Sequence, residues 1–123
     1  MKCPFCRNLD TVKESELSFA IFDKHPVSRG HLLIITKRHI SSIFEASSKE
    51  KKDLFKLLEN CKDYLDEQYK PSGYNIGINQ GKHAGQTIRH LHIHLIPRYK
   101  GDIEDPTGGI RGVIPQKRIY PAK

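Results

Sequence analysis

Three histidines stand at alternate positions in one apolar stretch of the chain, at His90, His92 and His94. Alternate side chains of a β-strand point to the same side of the sheet. Residues 88–96 therefore predict a strand with one histidine face and one apolar face. Such a row of imidazoles suits two kinds of chemistry: zinc binding, or nucleophilic attack by a neutral imidazole whose neighbours act as acid and phosphate ligands.

The loop before this strand favours phosphoryl chemistry. Residues 79–87 (NQGKHAGQT) contain glycines, amide side chains and a hydroxyl beside the histidine row. Backbone N–H groups of such a loop, together with Gln86 and Thr87, can hold phosphate oxygens. A histidine nucleophile divides hydrolysis into two easier steps, and phosphoryl transfer depends mostly on positioning and charge stabilisation.

The elements that position these residues can be read from periodicity. Ser47 and Glu50 fit a capping box, and apolar residues with helical spacing predict a helix from Ser47 to about Tyr69, with Cys61 as a buried core thiol. Strands are predicted at 18–23, 31–36, 73–79 and 88–96, the last ended by Pro97. Strands grouped around one helix, without strict βαβ alternation, favour an α+β fold with a mostly antiparallel sheet.

Composition limits the possible partners. The chain has 123 residues and a net charge of +7, which predicts a single domain, 1–123, and suits an anionic substrate. Scattered lysines without an arginine–aromatic stripe disfavour a specific nucleic-acid partner. No apolar run is long enough to predict a membrane helix. An odd cysteine count and no signal-peptide pattern indicate a cytoplasmic protein.

The motifs together resemble the signature of the histidine-triad (HIT) superfamily, over the stretch from the N-terminal cysteines to about Asp102. The resemblance implies a HIT-like fold, a homodimer with pooled sheets and a nucleotide substrate. The matching positions are the row at 90–96, Gly85-Gln86-Thr87 just upstream, Gly30-His31 leading into an apolar strand, and Asp23 ending the strand before it.

The resemblance also implies catalytic roles. His92 would attack the α-phosphorus of a nucleotide and form a nucleotidyl-histidine intermediate. His94 and His31 would contact phosphate, and His94 would also assist the leaving group. Gln86 or Thr87 would steady the leaving or bridging oxygen.

Substrate-binding positions follow from the same resemblance. Asp23 matches the residue that binds the ribose hydroxyls, and Asn79 matches a position near the substrate. Ile21, Phe22 and Leu33 are weaker candidates for walls of the base pocket, with at least one of them expected to face the core.

The N-terminal knuckle, residues 1–10, carries Cys3-x-x-Cys6. This pair suits a redox centre, half of a zinc site or two unrelated thiols, although the βαβ context of a thioredoxin-like pair is missing. In zinc-bearing relatives the remaining ligands match His39 and His90. The resemblance therefore implies a structural zinc on all four residues, with no organic cofactor.

The favoured function is hydrolysis of nucleotidyl phosphoanhydrides such as diadenosine polyphosphates, because Gln86-Thr87 before the triad and Pro97-Arg98 after it resemble that branch. The alternative within the family is a nucleoside phosphoramidase. A nucleotide transferase is disfavoured, because relatives of that type carry glutamine where His94 stands.

Two alternatives lie outside that chemistry. One is a nucleotide-binding regulatory module with little turnover. The other is a zinc hydrolase in which His90, His92 and His94 all bind the metal. The C-terminal tail, residues 101–123, is rich in glycine and proline, and by analogy with relatives it is expected to shape the substrate site, sometimes across a dimer.

Overall fold

A single antiparallel sheet forms the centre of the computed structural model, which describes residues 3–7 and 9–121. The sheet has five strands in the order β1-β2-β3-β5-β4, and every neighbouring pair is antiparallel. With one main helix, this confirms the predicted α+β class. The elements are β1 (Lys13–Glu14), β2 (Ser18–Phe22), β3 (Leu32–Thr36), α1 (Ser48–Tyr69), β4 (Gly73–Gly77) and β5 (His92–Arg98).

Helix α1 begins at the predicted capping box. The Ser47 hydroxyl accepts the Glu50 N–H at 3.0 Å, and the Glu50 carboxylate accepts the Ser47 N–H at 2.9 Å. Hydrogen bonds from Arg38, at 2.8 and 3.0 Å, add to this and help lower the pKa of Glu50 to about 2. The helix ends at Tyr69, and the capping residue Lys70 has a φ of 51°, in the left-handed region just before Pro71.

The sheet buries apolar side chains on both faces. The α1 face packs against the predicted helical stripe, where Cys61 is fully buried. Burial raises the pKa of this thiol to about 11, which agrees with the predicted core role. The opposite face carries a smaller cluster of Phe5, Phe19, Leu33 and Ile35, and this face bears the site.

The last strand is shifted from its predicted position. It spans His92–Arg98 rather than 88–96, so His90 precedes the strand and Pro97 lies within it. Pairing of β5 with β3 ends at Leu95, so Pro97 faces only the edge strand β4 and its missing N–H interrupts no ladder with β3. The Leu91 N–H instead donates to the Ile40 carbonyl at 2.6 Å.

The tail forms short 3-10 turns at Gly109–Val113 and Pro115–Lys117, and the first of these packs against β4. The predicted knuckle and tail include positions 1, 2, 8, 122 and 123, which lie outside the described residues. No helix within the described ranges is long and apolar enough to cross a membrane.

Candidate active site

A cavity of about 390 Å³ opens on the face of the sheet opposite α1. Cross-strand pairing places Ile21, Leu33 and His94 side by side in its floor, and His92 follows on the same face of β5. The residues that line it come from the knuckle, the sheet, the turn after β2 and the loop before β5: Pro4, Phe5, Arg7, Leu9, Ile21, Asp23, Lys24, His25, Leu33, Asn79, Gly85, Thr87, Ile88, His92 and His94.

His92 is held in one tautomer. Its Nδ1 lies 2.7 Å from the carbonyl oxygen of His90, and a carbonyl only accepts hydrogen bonds. The neutral ring therefore carries its proton on Nδ1 and keeps the lone pair on Nε2. A lone pair on a fixed ring that lines a cavity is what a nucleophile requires.

His94 is held in the opposite tautomer, through His31. The Val27 N–H donates to His31 Nδ1 at 3.0 Å, so the neutral His31 ring carries its proton on Nε2. That nitrogen lies 3.0 Å from His94 Nδ1 and donates to it. His94 therefore carries its own proton on Nε2, where it is a hydrogen-bond donor.

Burial keeps the rings of His94 and His31 neutral. Burial, followed by the nearby His92 and His31, lowers the pKa of His94 to about 4. Burial also lowers the pKa of His31, although the Asp23 carboxylate opposes this shift. At neutral pH the chain of hydrogen bonds from Val27 to His94 is therefore intact.

His31 does not have the position that direct phosphate contact requires. It is only 2% exposed, and both of its ring nitrogens are already hydrogen-bonded. It lies behind His94 and orients that ring. His31 is therefore placed where it can position His94, and neither of its ring nitrogens is left open to a phosphate in this geometry.

Asp23, His31 and His94 are close enough to suggest a metal site, with donor atoms within 4.8 Å of one another. The hydrogen bonding argues against it. A metal ligand nitrogen must be unprotonated, but His31 Nε2 carries the ring proton because Nδ1 accepts from Val27. The Asp23 carboxylate lines the cavity, where its Oδ1 accepts the His25 N–H at 2.9 Å and its Oδ2 lies 3.5 Å from His31 Nε2.

Several of the expected substrate residues do line the cavity. Asn79, Ile21 and Leu33 are among them, and so is Thr87 at the end of the glycine-containing loop. Gly85 has a φ of 93°, a conformation that a residue with a Cβ rarely adopts, and this turn brings the backbone to the cavity rim.

Two expected substrate residues are placed elsewhere. Phe22 lies on the α1 face of the sheet, where its ring packs 6.4 Å from that of Tyr69, because alternation along β2 puts Ile21 on the cavity side. The Gln86 side chain is hydrogen-bonded to two backbone groups: it accepts the Gly81 N–H at 2.9 Å and donates to the Ser41 carbonyl at 2.9 Å. The Gln86 side chain is therefore turned toward these backbone groups and is not among the residues that line the cavity.

The predicted zinc ligands form one cluster beside the cavity. His90 Nδ1 lies 3.4 Å from Cys3 Sγ, 3.5 Å from Cys6 Sγ and 3.2 Å from His39 Nδ1, and Cys6 Sγ lies 3.1 Å from His39 Nδ1. Ligand atoms of a tetrahedral zinc stand roughly 3.3–3.8 Å apart, as its bond lengths require. The two sulfur contacts of His90 fall in this range, and the two contacts of His39 are slightly shorter.

The orientation of His90 fits this cluster. Its Nε2 donates to the Thr36 carbonyl at 2.7 Å, which leaves the lone pair on Nδ1, the nitrogen facing the two sulfurs. The same orientation opposes the alternative of one zinc on His90, His92 and His94. His90 points into the knuckle, and Nδ1 of His92 is occupied by a carbonyl.

Sequence reasoning missed the contribution of the knuckle to the cavity. Pro4, Phe5, Arg7 and Leu9 all line it. The available signal was an aromatic residue between two candidate metal ligands, but no periodicity at 1–10 indicates which way that ring points. Tail residues, by contrast, are not among those lining the cavity within the described part of the chain.

The antiparallel sheet with one main helix, and the alternate histidines at 90, 92 and 94 beside a cavity, agree with a histidine-triad domain. The HIT domain family model matches residues 8–101, and the chain belongs to that family.

Similar proteins agree with this assignment. The chain is 37% identical over 91 residues to a bis(5'-adenosyl)-triphosphatase of Dictyostelium discoideum, a match that covers 74% of this chain and 61% of that protein. It therefore spans less than two thirds of that relative. A histidine triad nucleotide-binding protein of Sulfolobus tokodaii superimposes with a TM-score of 0.76 at 38% identity, covering 84% of this chain and 73% of the other.

A third comparison concerns the metal. A zinc-bound histidine triad family protein of Mycobacterium smegmatis superimposes with a TM-score of 0.69 at 29% identity. The superposition covers 86% of this chain and 84% of that one.

Proposed function

We propose that the protein is a nucleotide hydrolase that cleaves at the α-phosphate of nucleotidyl phosphoanhydrides of the diadenosine polyphosphate type. The observation that carries this proposal is the pairing of two tautomers in one cavity: a lone pair on Nε2 of His92 and a proton on Nε2 of His94. The name of the Dictyostelium relative supports the substrate class.

The cavity suits the parts of a nucleotide in order. Apolar side chains of Ile21 and Leu33 suit a base, and the Asp23 carboxylate suits the ribose hydroxyls as a hydrogen-bond acceptor. Phosphates then lie toward Thr87 and the two histidines. The positive charges of Arg7 and Lys24 at the cavity attract a polyanion.

The proposed reaction has two displacements at one phosphorus. In the first, the Nε2 lone pair of His92 forms the P–N bond while the P–O bond to the leaving phosphate breaks. That leaving oxygen is weakly basic, so a hydrogen bond from Nε2–H of His94 stabilises it without full proton transfer. In the second, water forms a new P–O bond and releases a proton to solvent, the P–N electrons return to His92, and a nucleoside monophosphate leaves.

We further propose that Cys3, Cys6, His39 and His90 hold a structural zinc. Two thiolates and two imidazoles make a donor set that zinc favours, and the zinc-bound mycobacterial neighbour supports this identity. A bound ion would fasten the N-terminal knuckle to the segment that leads into β5. All the proposed chemical steps are performed by side chains of the chain itself.

A homodimer and a cytoplasmic location complete the proposal. Strand β4 is an edge of the sheet, and its Ile76 side chain is exposed, which suits pairing with a second copy. A reducing compartment suits Cys3 and Cys6, since both are free thiols available as ligands. Light scattering of the purified protein tests the dimer.

Turnover of defined substrates tests the activity. The purified protein is incubated with a diadenosine polyphosphate and, separately, with an adenosine phosphoramidate, and released AMP is quantified by chromatography. Faster release from the polyphosphate is expected. Preferential cleavage of the phosphoramidate would instead identify a phosphoramidase, and nucleotide binding without either turnover would identify a binding module.

A further inference from the structure

The N-terminal knuckle takes part in both functional features of the protein. Cys3 and Cys6 belong to the metal cluster, while Phe5, between them, lines the cavity and is only 6% exposed. A segment of this length that serves two sites provides a physical connection between them.

The Phe5 ring packs against one histidine of each site, His90 of the metal cluster and His92 of the cavity. Its centroid lies 5.9 Å from that of His90, at an interplanar angle of 75°, and 5.2 Å from that of His92, at 76°. Both are edge-to-face contacts, the geometry that aromatic pairs prefer. The His92 ring is thus packed against a residue that lies between two candidate metal ligands, Cys3 and Cys6.

Apart from this side-chain packing, few interactions hold Phe5 in place. Its segment belongs to no strand or helix, and the backbone hydrogen bond that the structure shows within residues 3–7 runs from the Cys6 N–H to the Cys3 carbonyl at 3.2 Å. The ring packs with Phe19, Leu33 and Ile35. Without its cysteines fixed, such a segment belongs to the parts of a protein that open at low free-energy cost.

We propose that Phe5 is a positioning residue that couples zinc binding at the Cys/His cluster to nucleotide binding in the cavity, so that each ligand raises the affinity of the protein for the other. The inference rests on the proposed function. Zinc fixes the two cysteines, the cysteines fix Phe5, and Phe5 completes the cavity wall and holds the His92 ring. Coupling of this kind is reciprocal by thermodynamic necessity.

The test measures zinc affinity by competition with a chromophoric chelator, with and without saturating AMP. In the wild type AMP is expected to raise zinc affinity by at least about 5-fold, the lower end of typical coupling between sites. In Phe5→Ala this factor is expected to fall to about 1, and Phe5→Leu is expected to lie between the two, by the same reciprocal coupling. Calorimetric titration of AMP into zinc-loaded and chelated protein must give the same factor.

Phe19→Leu is the matched control. Phe19 belongs to the same apolar cluster and is 8% exposed, but it does not line the cavity. The control is expected to keep the coupling factor of the wild type. Because the readout is a ratio of affinities, a uniform loss of nucleotide contact in Phe5→Ala does not imitate the predicted effect.

Each outcome decides between the two proposals. AMP binding without any effect on zinc affinity overturns the coupling and leaves the proposed function standing. Coupling that persists in Phe5→Ala and Phe5→Leu assigns it to another route and overturns the role of Phe5. Absence of AMP binding in the zinc-loaded wild type overturns the proposed function together with this inference. If Phe5→Ala lacks native circular dichroism, the Phe5→Leu factor decides.

Discussion

The main-chain carbonyl of His90 accepts a 2.7 Å hydrogen bond from Nδ1 of His92, two residues further along the chain. His90 itself is turned toward the cysteines, with its Nε2 bonded to the Thr36 carbonyl at 2.7 Å. One residue therefore contributes its side chain to the Cys/His cluster and its backbone to the orientation of His92. The side chain of His90 therefore serves a different site from those of His92 and His94.

Replacing His92 with Asn is expected to reduce diadenosine polyphosphate turnover by about 10⁴-fold or more, because the Nε2 lone pair that is proposed to attack phosphorus is lost. The variant should keep its fold. His83→Asn, an exposed histidine in the neighbouring loop, is the control and should retain wild-type turnover. The measurement is AMP release together with circular dichroism, and near-normal release from a folded His92→Asn would refute the nucleophile assignment.

His31→Leu is expected to lower kcat by about 10- to 100-fold, at or below the effect of losing a general acid itself. The loss follows because His94 Nδ1 would no longer accept the hydrogen bond that sets the tautomer of its ring. His31→Gln should recover part of the rate, since an amide N–H can donate to the same nitrogen. Equal rates for the Leu and Gln variants would argue against positioning through this hydrogen bond.

Acidification is expected to destabilise the fold through His94. Its pKa is about 4 in the folded protein and near 6.5 unfolded, so the unfolded chain binds the extra proton first. Stability from the neutral ring is complete above pH 6.5 and is lost as the pH falls from 6.5 toward 4. The free energy of unfolding is measured with urea at pH 7.5 and pH 5. It should fall less between these pH values in His94→Asn than in wild type, and identical losses would contradict a role of His94 in the acid sensitivity.

Removing the helix cap with Ser47→Ala is expected to lower the free energy of unfolding by about 1 kcal/mol, because the Glu50 N–H loses its acceptor. Ser48→Ala, one residue later and exposed, should change stability by less than about 0.5 kcal/mol. Urea denaturation of both variants gives the comparison. Equal losses of unfolding free energy in the two variants would show that the loss in Ser47→Ala does not come from the helix cap.

Metal analysis is expected to find close to one zinc per chain in protein purified without chelator. His39→Ala should lose most of it, since this ring contacts both Cys6 and His90 in the cluster. His83→Ala should keep wild-type zinc content. Less than about a tenth of an equivalent in the wild type would reject the structural zinc, because sites of this donor set bind zinc tightly.

Local sequence signals predicted the framework well. The capping box at Ser47 placed the start of α1, and the apolar stripe placed Cys61 in the core. Alternation also put His92 and His94 on one face of β5. These features depend on residues a few positions apart, which periodicity reports directly.

The remaining differences depend on contacts between distant segments. Ile21 and Phe22 are both apolar, and a sheet buried on two faces gives no local sign of which one meets the cavity. The position of His31 behind His94 depends on a ring 63 residues away. The Gln86 side chain donates a hydrogen bond to the carbonyl of Ser41, 45 residues earlier. No spacing rule reveals this contact.

His92 and His94 are the same amino acid, two positions apart on one strand, and differ in which nitrogen carries the hydrogen. The partners that impose this difference, a main-chain carbonyl and a buried ring, are in place before any nucleotide arrives. Preorganisation of this kind means that the dipoles need no rearrangement when charge moves toward the leaving group. The main-chain carbonyl and the His31 ring therefore fix in advance which of the two histidines presents a lone pair and which presents an N–H.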